Sequence, residues 1–558
     1  MHVALRVALL ATGMVVAVPA AFAGQPWPEA GAAALALLHS GAAPALGPPI
    51  ATADLPSLKV MYAAEPGALF WFDGVSPRGA VAGCIDMLAR ADLSGLDPAD
   101  YGASSLSARW AALTAGPRPS AAEAAQFDVG LSAALMRLLG DVHQGRVDPR
   151  SVAFDIDVSG KRLDLPAVLR SARDGGGCAA AFAAAEPPFA AYRRLVQALA
   201  GYRAMAAQGE PPLLPDLGPR VKKIEPGKPW PGVSPLDARL RALGDLPMSA
   251  PPPSTAPDGT PLYAGAIVDG VKHYQDRHAL EPDGVIGPGT ITALNTPFTA
   301  RIRQIELALE RMRWLPLLPD ASAIFVNIPL FMLWALERDR PNSVFRMRVV
   351  AGKSAGHATP IFIGKLKYVV FRPYWNPPPN IVKREIVPHA RRDPGYLDRQ
   401  NMEIVESGAD DAPALPATPE NLSRVLAGKL TLRQRPGEKN SLGLAKFIFP
   451  NANNVYMHGT PVPSLFSRAR RDFSHGCIRV EDPTRLAEWV LRDDPQWTRA
   501  RIEKAMAGDR PLQVNLKVPI PVIVFYDTVM VDAEGTVHFS DDYYKHDARL
   551  AEALRRPR

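Results

Sequence analysis

The segment Ser474-His475-Gly476-Cys477-Ile478-Arg479-Val480 sets a thiol beside an imidazole and a glycine, on what reads as a tight turn before a short strand. A thiolate is a strong nucleophile, and an imidazole or cation beside it lowers the pKa that otherwise keeps it protonated. Gly476 allows another backbone or a substrate to approach closely. Backbone N–H groups around Gly476 and Cys477 are expected to hold a developing oxyanion. His475 is near in sequence, but neighbours on an extended chain point apart, so a second base is needed. His458 meets that need: it ends an expected strand in Val455-Tyr456-Met457-His458-Gly459-Thr460, 19 residues before Cys477. A loop of that length can fold back and bring imidazole to sulfur, the nucleophile-plus-base arrangement of covalent catalysis. Spacing alone also suits an inert buried thiol beside two incidental histidines.

The chain has 558 residues, 47% hydrophobic and 21% charged, enough to bury sizeable cores and to exclude wholesale disorder. Its 63 basic and 56 acidic residues give a net charge of +7 without a dense Lys/Arg run. Dedicated nucleic-acid binding is therefore not indicated. His2 and Arg6, the apolar run Val7 to Val18 and the small-x-small pattern Ala21-Phe22-Ala23 read as a secretory signal over 1–23. The other reading is an uncleaved inner-membrane anchor, although the run is short for a span of about 20 apolar residues. Export implies an oxidising, periplasmic setting in which paired cysteines become disulfides. Of three cysteines, Cys84 and Cys178 either pair with each other or stay as separate thiols, and Cys477 is left over.

Other elements must position the site. Residues 24–64 are Ala/Pro-rich and read as a leader. From 65 to 245 the apolar spacing is helical: Phe127, Leu131, Ala134, Leu135 and Leu138 share one stripe, and Tyr192, Leu195, Leu199 and Tyr202 share another. Residues 246–259 form a Pro-rich linker, 260–297 a short helical module, and 298–319 a connecting helix. After Pro319 the texture becomes β-branched and aromatic, with strands expected at 324–328, 331–336, 345–350, 368–371, 445–449, 455–457, 512–526 and 537–539. A long excursion from the sheet spans about 376–440, and Thr484 to Leu491 is an amphipathic helix. The expected fold class is α+β and multidomain.

His458, the fifteen residues 459–473 and then Ser474-His475-Gly476-Cys477 resemble the signature of the L,D-transpeptidases with a YkuD-type catalytic domain. Val326-Asn327-Ile328, Val350-Ala351-Gly352-Lys353, Thr359-Pro360 and Tyr374-Trp375-Asn376-Pro377-Pro378 are similar to further pieces of that domain. Arg479 stands where many members carry Asn, and resembles a Gram-negative subset. The stretch from Val271 through His278, Asp283-Gly284-Val285-Ile286-Gly287 and Leu294 resembles a small three-helix peptidoglycan-binding module. Leu96 to Tyr101 and Gly145 to Pro149 look like the helical scaffold of large members.

The resemblance implies a mostly β catalytic domain over 320–558, with the 376–440 excursion as a cap. Cys477 would be nucleophile and His458 general base and acid. His475 and Gly476 would shape the turn and its oxyanion donors, and Ser474 would orient an imidazole. Tyr456, Gly459, Arg479, Trp375 and Asn376 would line the substrate cleft. The substrates implied are peptidoglycan stem peptides, a donor tetrapeptide and an acceptor stem joined 3→3 between diaminopimelates with loss of D-Ala. Water or an outer-membrane lipoprotein lysine are alternative acceptors, and carbapenem-type β-lactams are implied covalent inhibitors. A non-catalytic wall-binding scaffold is the reading of another class. Arg346, Arg348, Lys353, Lys365, Lys367, Arg372, Lys383 and Arg384 occur in 346–384 without an Asp or Glu. They read as a basic rim for acidic stems or as solvated strand faces. No cofactor or metal is called for: HExxH, paired CxxC and Gly-rich phosphate loops are missing. His273, His278 and Asp283 read as a surface helix with a turn Asp, and Asp541-Asp542 as a solvated turn.

Overall fold

A computed structural model describes residues 27–41, 43–316, 322–337, 340–409 and 411–556. The secretory-signal reading falls on residues outside these. The chain is α+β and multidomain, and divides into two compact units, Met1–Gly145 with Lys161–Pro187, and Arg146–Gly160 with Pro188–Arg558.

The first unit is helical. Its central helix, Ala121–Gln144, starts at a Ser120/Glu123 capping box and is buried along most of its length. Asp128 on that helix is fully buried, yet satisfied. It accepts from the N–H groups of Phe70 (3.0 Å) and Trp71 (2.7 Å) and from the Tyr62 hydroxyl (2.5 Å). Pro28–Ser40, expected as leader, is a helix that buries Ala30, Ala34 and Leu38 in this core. Its small residues explain the difference: a Cβ on Gly31 would lie 2.5 Å from the Gly67 carbonyl carbon, so only glycine permits that approach. Cys84 and Cys178 are joined in a disulfide between residues 94 apart. Replacing both by serine is expected to cost this unit about 2–5 kcal/mol, seen as a lower thermal midpoint with an unchanged circular-dichroism spectrum at 20 °C.

The second unit is built on a ten-stranded sheet. Ala323–Asn327, Met332–Glu337 and Arg340–Gly352 form a meander, and Leu512–Phe525 lies parallel to the first of them. Ile361–Phe371 pairs with Leu512–Phe525 on one side and Ala445–Ile448 on the other. Ala445–Ile448 also pairs with Met457–His458, so the sheet closes on itself. Inward residues such as Val326, Leu333, Val349, Phe447, Met457, Ile478 and Val524 fill its core. The helix Ala190–Gln208, expected within the helical scaffold, belongs to this unit. It buries Tyr192, Leu195, Leu199 and Tyr202 against Phe298–Trp314. The stripe was legible, but its partner lies about a hundred residues on in sequence, as the 103-residue separation of the Arg203–Glu306 pair illustrates.

A separate small core holds Leu214, Trp230, Leu236, Tyr263, Val271, Tyr274, Ile286 and Leu294. It spans the helices Val233–Leu243, Ala266–Arg277 and Pro288–Leu294. His278 is not on a surface: it is buried and stacks on Tyr274 (3.7 Å between centroids) and Phe539 (5.4 Å). Asp542 is not a bare turn residue either. It accepts from the N–H groups of His546, Asp547 and Ala548 and so caps the last helix, His546–Arg555. Among the described residues no group of His, Cys, Asp and Glu is placed to hold a metal ion, and no helix is long and apolar enough to cross a membrane.

Candidate active site

The strands Met457–His458 and Ile478–Val480 run parallel, with Met457 opposite Ile478 and His458 opposite Arg479. Partners in register share a face, and the face alternates along each strand. Met457 and Ile478 point into the core, where both are fully buried. His458 and Arg479 therefore share the other face, together with Tyr456 and Cys477, one alternation earlier on each strand. Contacts agree with the register. The Ile478 N–H donates to the Tyr456 carbonyl at 3.1 Å. The Tyr456 and His458 rings lie 5.7 Å apart, and Tyr456 favours the Cys477 thiolate electrostatically. The sulfur is also 3.9 Å from the Asn454 carbonyl oxygen.

Electrostatics set the resting state. Burial, aided by the Arg479 guanidinium, pushes His458 down to about 3. Burial also pushes the Cys477 thiol up, against the opposing pull of Tyr456 and Arg479. At neutral pH this face thus carries a neutral thiol and a neutral imidazole, not a preformed ion pair. His458 Nδ1 donates to the Gly459 carbonyl at 2.6 Å. That bond assigns the proton to Nδ1 and leaves Nε2 with the lone pair. Gly459 is itself held by its N–H bond to the Ala445 carbonyl, 3.0 Å. Burial lowers the Arg479 pKa, and its Nε has no hydrogen-bond partner among the described residues.

The Ser474–Cys477 turn is braced from within. Ser474 Oγ donates to the Cys477 carbonyl (2.5 Å) and accepts from the Gly476 N–H (3.1 Å). Ser474 thus shapes the turn and touches no imidazole in these bonds. The Gly476 N–H, expected as an oxyanion donor, is already used. Gly476 has φ +117°, a conformation side-chain-bearing residues rarely adopt. Thr359 Oγ1 accepts from the Gly352 N–H and donates to the Gly476 carbonyl, both at 2.9 Å. A Cβ on Gly352 would fall 2.0 Å from the His357 carbonyl oxygen and 3.1 Å from the Gly476 Cα. Gly352→Ala is therefore expected to displace the turn and change the rate at which iodoacetamide alkylates Cys477, with the fold retained by circular dichroism.

Not every expected residue joins this face. Trp375 exchanges backbone hydrogen bonds with Gln434 and packs on the core of the excursion, and Asn376 is exposed beside it. The excursion has a core of its own, from Ile381 to Leu432, around three short strands. Trp375 thus sits at its root, because the β-bridge to Gln434 fixes where the chain leaves and returns. His475 turns toward the excursion: its Nε2 is 2.8 Å from Glu385 Oε1, and its ring meets the His357 ring edge-on at 4.6 Å. The basic stretch does not form one rim. Lys365 and Lys367 are exposed on the strand paired with Leu512–Phe525, while Arg348 engages Glu481 and the Phe466 carbonyl. Sequence reasoning missed Glu385, Asn454 and Tyr544, whose hydroxyl donates to the Gly352 carbonyl at 2.5 Å. None carries a local motif. The role of Thr359 was foreshadowed only by its place in a matching fragment.

Residues 321–515 match the family model of the L,D-transpeptidase catalytic domain. This region of the chain is thus similar to the L,D-transpeptidase catalytic domain. Residues 56–199 match the model of a scaffold domain. A Haemophilus influenzae protein assigned as an L,D-transpeptidase is 30% identical over 249 residues, covering 44% of this chain and 49% of that relative. The match thus spans about half the length of that relative. Every residue of the His458–Cys477 face lies inside the transpeptidase domain match.

Proposed function

We propose that this protein is a peptidoglycan L,D-transpeptidase that forms 3→3 cross-links through a Cys477 acyl-enzyme. His458 Nε2 takes the thiol proton as the sulfur attacks the carbonyl carbon of the third stem residue, a diaminopimelate. The C–N bond to the terminal D-Ala breaks, and that amine leaves with the proton from His458. The side-chain amine of a second diaminopimelate then attacks the thioester and gives its proton to His458. The C–S bond breaks and the sulfur recovers the proton. The Cys477 N–H, which has no partner among the described residues, would donate to the intermediate oxyanion. Arg479, with an unpaired Nε, is placed to receive a stem carboxylate. Residues 260–297 would bind the peptidoglycan, and Ala21-Phe22-Ala23 would end the signal that exports the chain to the periplasm.

The carrying observation is the parallel register that sets the free Cys477 and His458 on one face. Muropeptide analysis of cells expressing the protein tests the reading, since each acceptor leaves its own product. Dimers linked 3→3 support it. Tripeptides alone mean that water is the acceptor, and lipoprotein-linked muropeptides mean anchoring. An unchanged profile, with no carbapenem adduct by intact-protein mass spectrometry, leaves a silent scaffold.

A further inference from the structure

Between Asp339 and Asp393 the sequence holds a single acidic residue, Glu385. It sits in the cap segment Val382–Ile386, flanked by the exposed Lys383 and Arg384. Of the cap helices it is this carboxylate that reaches the catalytic turn, 2.8 Å from His475 Nε2. Among the described residues, no other hydrogen bond or ion pair joins residues 379–399 to residues 471–480.

The surroundings make that contact a point of control. The cap is a body with its own apolar core, Ile381, Val382, Ile386, Val387, Ala390 and Leu397 among it. Its root is fixed: Trp375 and Gln434 exchange backbone bonds, and Asn440 Nδ2 bonds the carbonyls of Pro373, Gln434 and Arg435. A body pinned at its root and joined to residues 471–480 by one polar pair can open there by breaking that pair. Glu385 and His475 are 51% and 28% exposed, so water competes for both and the pair is weak enough to break. At the far end of the same short turn lies Cys477, two residues on.

We propose that Glu385 is a latch that holds the cap closed over the Cys477 turn by bonding His475, and that the cleft opens to an acidic peptide when this pair parts. Glu385 is a positioning residue: it acts through His475 and touches no reacting atom. The role given to the cleft rests on the transpeptidase reading, whereas the latch itself does not.

The test uses the full-length protein with two readouts that need no peptidoglycan. Hydrogen–deuterium exchange reports opening of residues 379–399, and the alkylation rate by uncharged iodoacetamide reports access to Cys477. In Glu385→Ala both are expected to rise about three- to fivefold, the scale set by one partly exposed side-chain hydrogen bond, while exchange in 323–337 is unchanged. Glu385→Gln, whose amide oxygen still accepts from His475, is expected to stay near the wild type in both. Unchanged exchange and alkylation in Glu385→Ala overturn the latch. Equal effects of Gln and Ala also overturn it, since the charge and not the contact would then be acting on the thiol. A protein with the expected latch behaviour but no carbapenem adduct keeps the latch and loses the transpeptidase reading. An adduct with unmoved latch readouts does the reverse.

Discussion

Cys477→Ala is expected to abolish the covalent carbapenem adduct and to lower cross-linking by about 10⁴-fold or more, the scale seen when a catalytic nucleophile is removed. The specificity of the result rests on the cysteine inventory. Cys84 and Cys178 are bonded to each other, and Cys477 is the free cysteine. The folded state should hardly notice the change, because the sulfur faces the Asn454 carbonyl and is not part of the apolar core. Cys477→Ser separates nucleophile strength from shape. A hydroxyl is far less acidic than a thiol, so Ser should fold alike and acylate very slowly. Intact-protein mass spectrometry decides the matter: a stoichiometric adduct on the Ala variant would remove Cys477 from the mechanism.

His458→Ala is expected to slow acylation by about 10²- to 10⁴-fold, the usual contribution of a positioned general base. The direction of the pKa shift adds a sharper expectation. An ordinary imidazole near 6.5 would lose its lone pair as the pH fell from 8 to 5. His458 is held at about 3 by burial and by Arg479, so it stays unprotonated and competent over that whole range. The acylation rate should therefore be flat between pH 5 and 8, with no limb near 6.5. It should change only at high pH, where the thiol, its own pKa raised by burial, begins to ionise. Arg479→Gln relieves the second cause of the His458 shift, so the acidic limb should move upward while burial, the larger cause, still holds it below the ordinary imidazole range. Stopped-flow acylation with a carbapenem across this range is the measurement. A limb near 6.5 in the wild type would mean that the imbalance between these two neutral groups is not real.

Much of this was legible in one dimension. The strand textures at 324–328, 445–449 and 512–526 correspond to strands in the structure, because a closed sheet with an apolar interior leaves alternation and β-branching in its sequence. The helical stripes at 126–140 and 189–205 were equally plain. Their partners were not, since an amphipathic face says that something covers it but not what. Ala190–Gln208 packs on Phe298–Trp314 in the second unit. Pro28–Ser40 looked like a tether because Ala and Gly carry little periodic signal, although they are what lets a helix pack closely.

Residue type and spacing were enough to single out a thiol on a glycine turn and one histidine a loop away as the candidate pair, since nucleophile and base must be of those types. Which side chains share a face depended on strand register, a relation between chain segments that no local pattern encodes. The same holds for the buried neutral state of His458 and for the contact from Glu385 to His475, where the partners are 90 residues apart. Burial and long-range contact exist only once the chain has folded, so the tertiary structure alone decided how those groups are charged and what touches them.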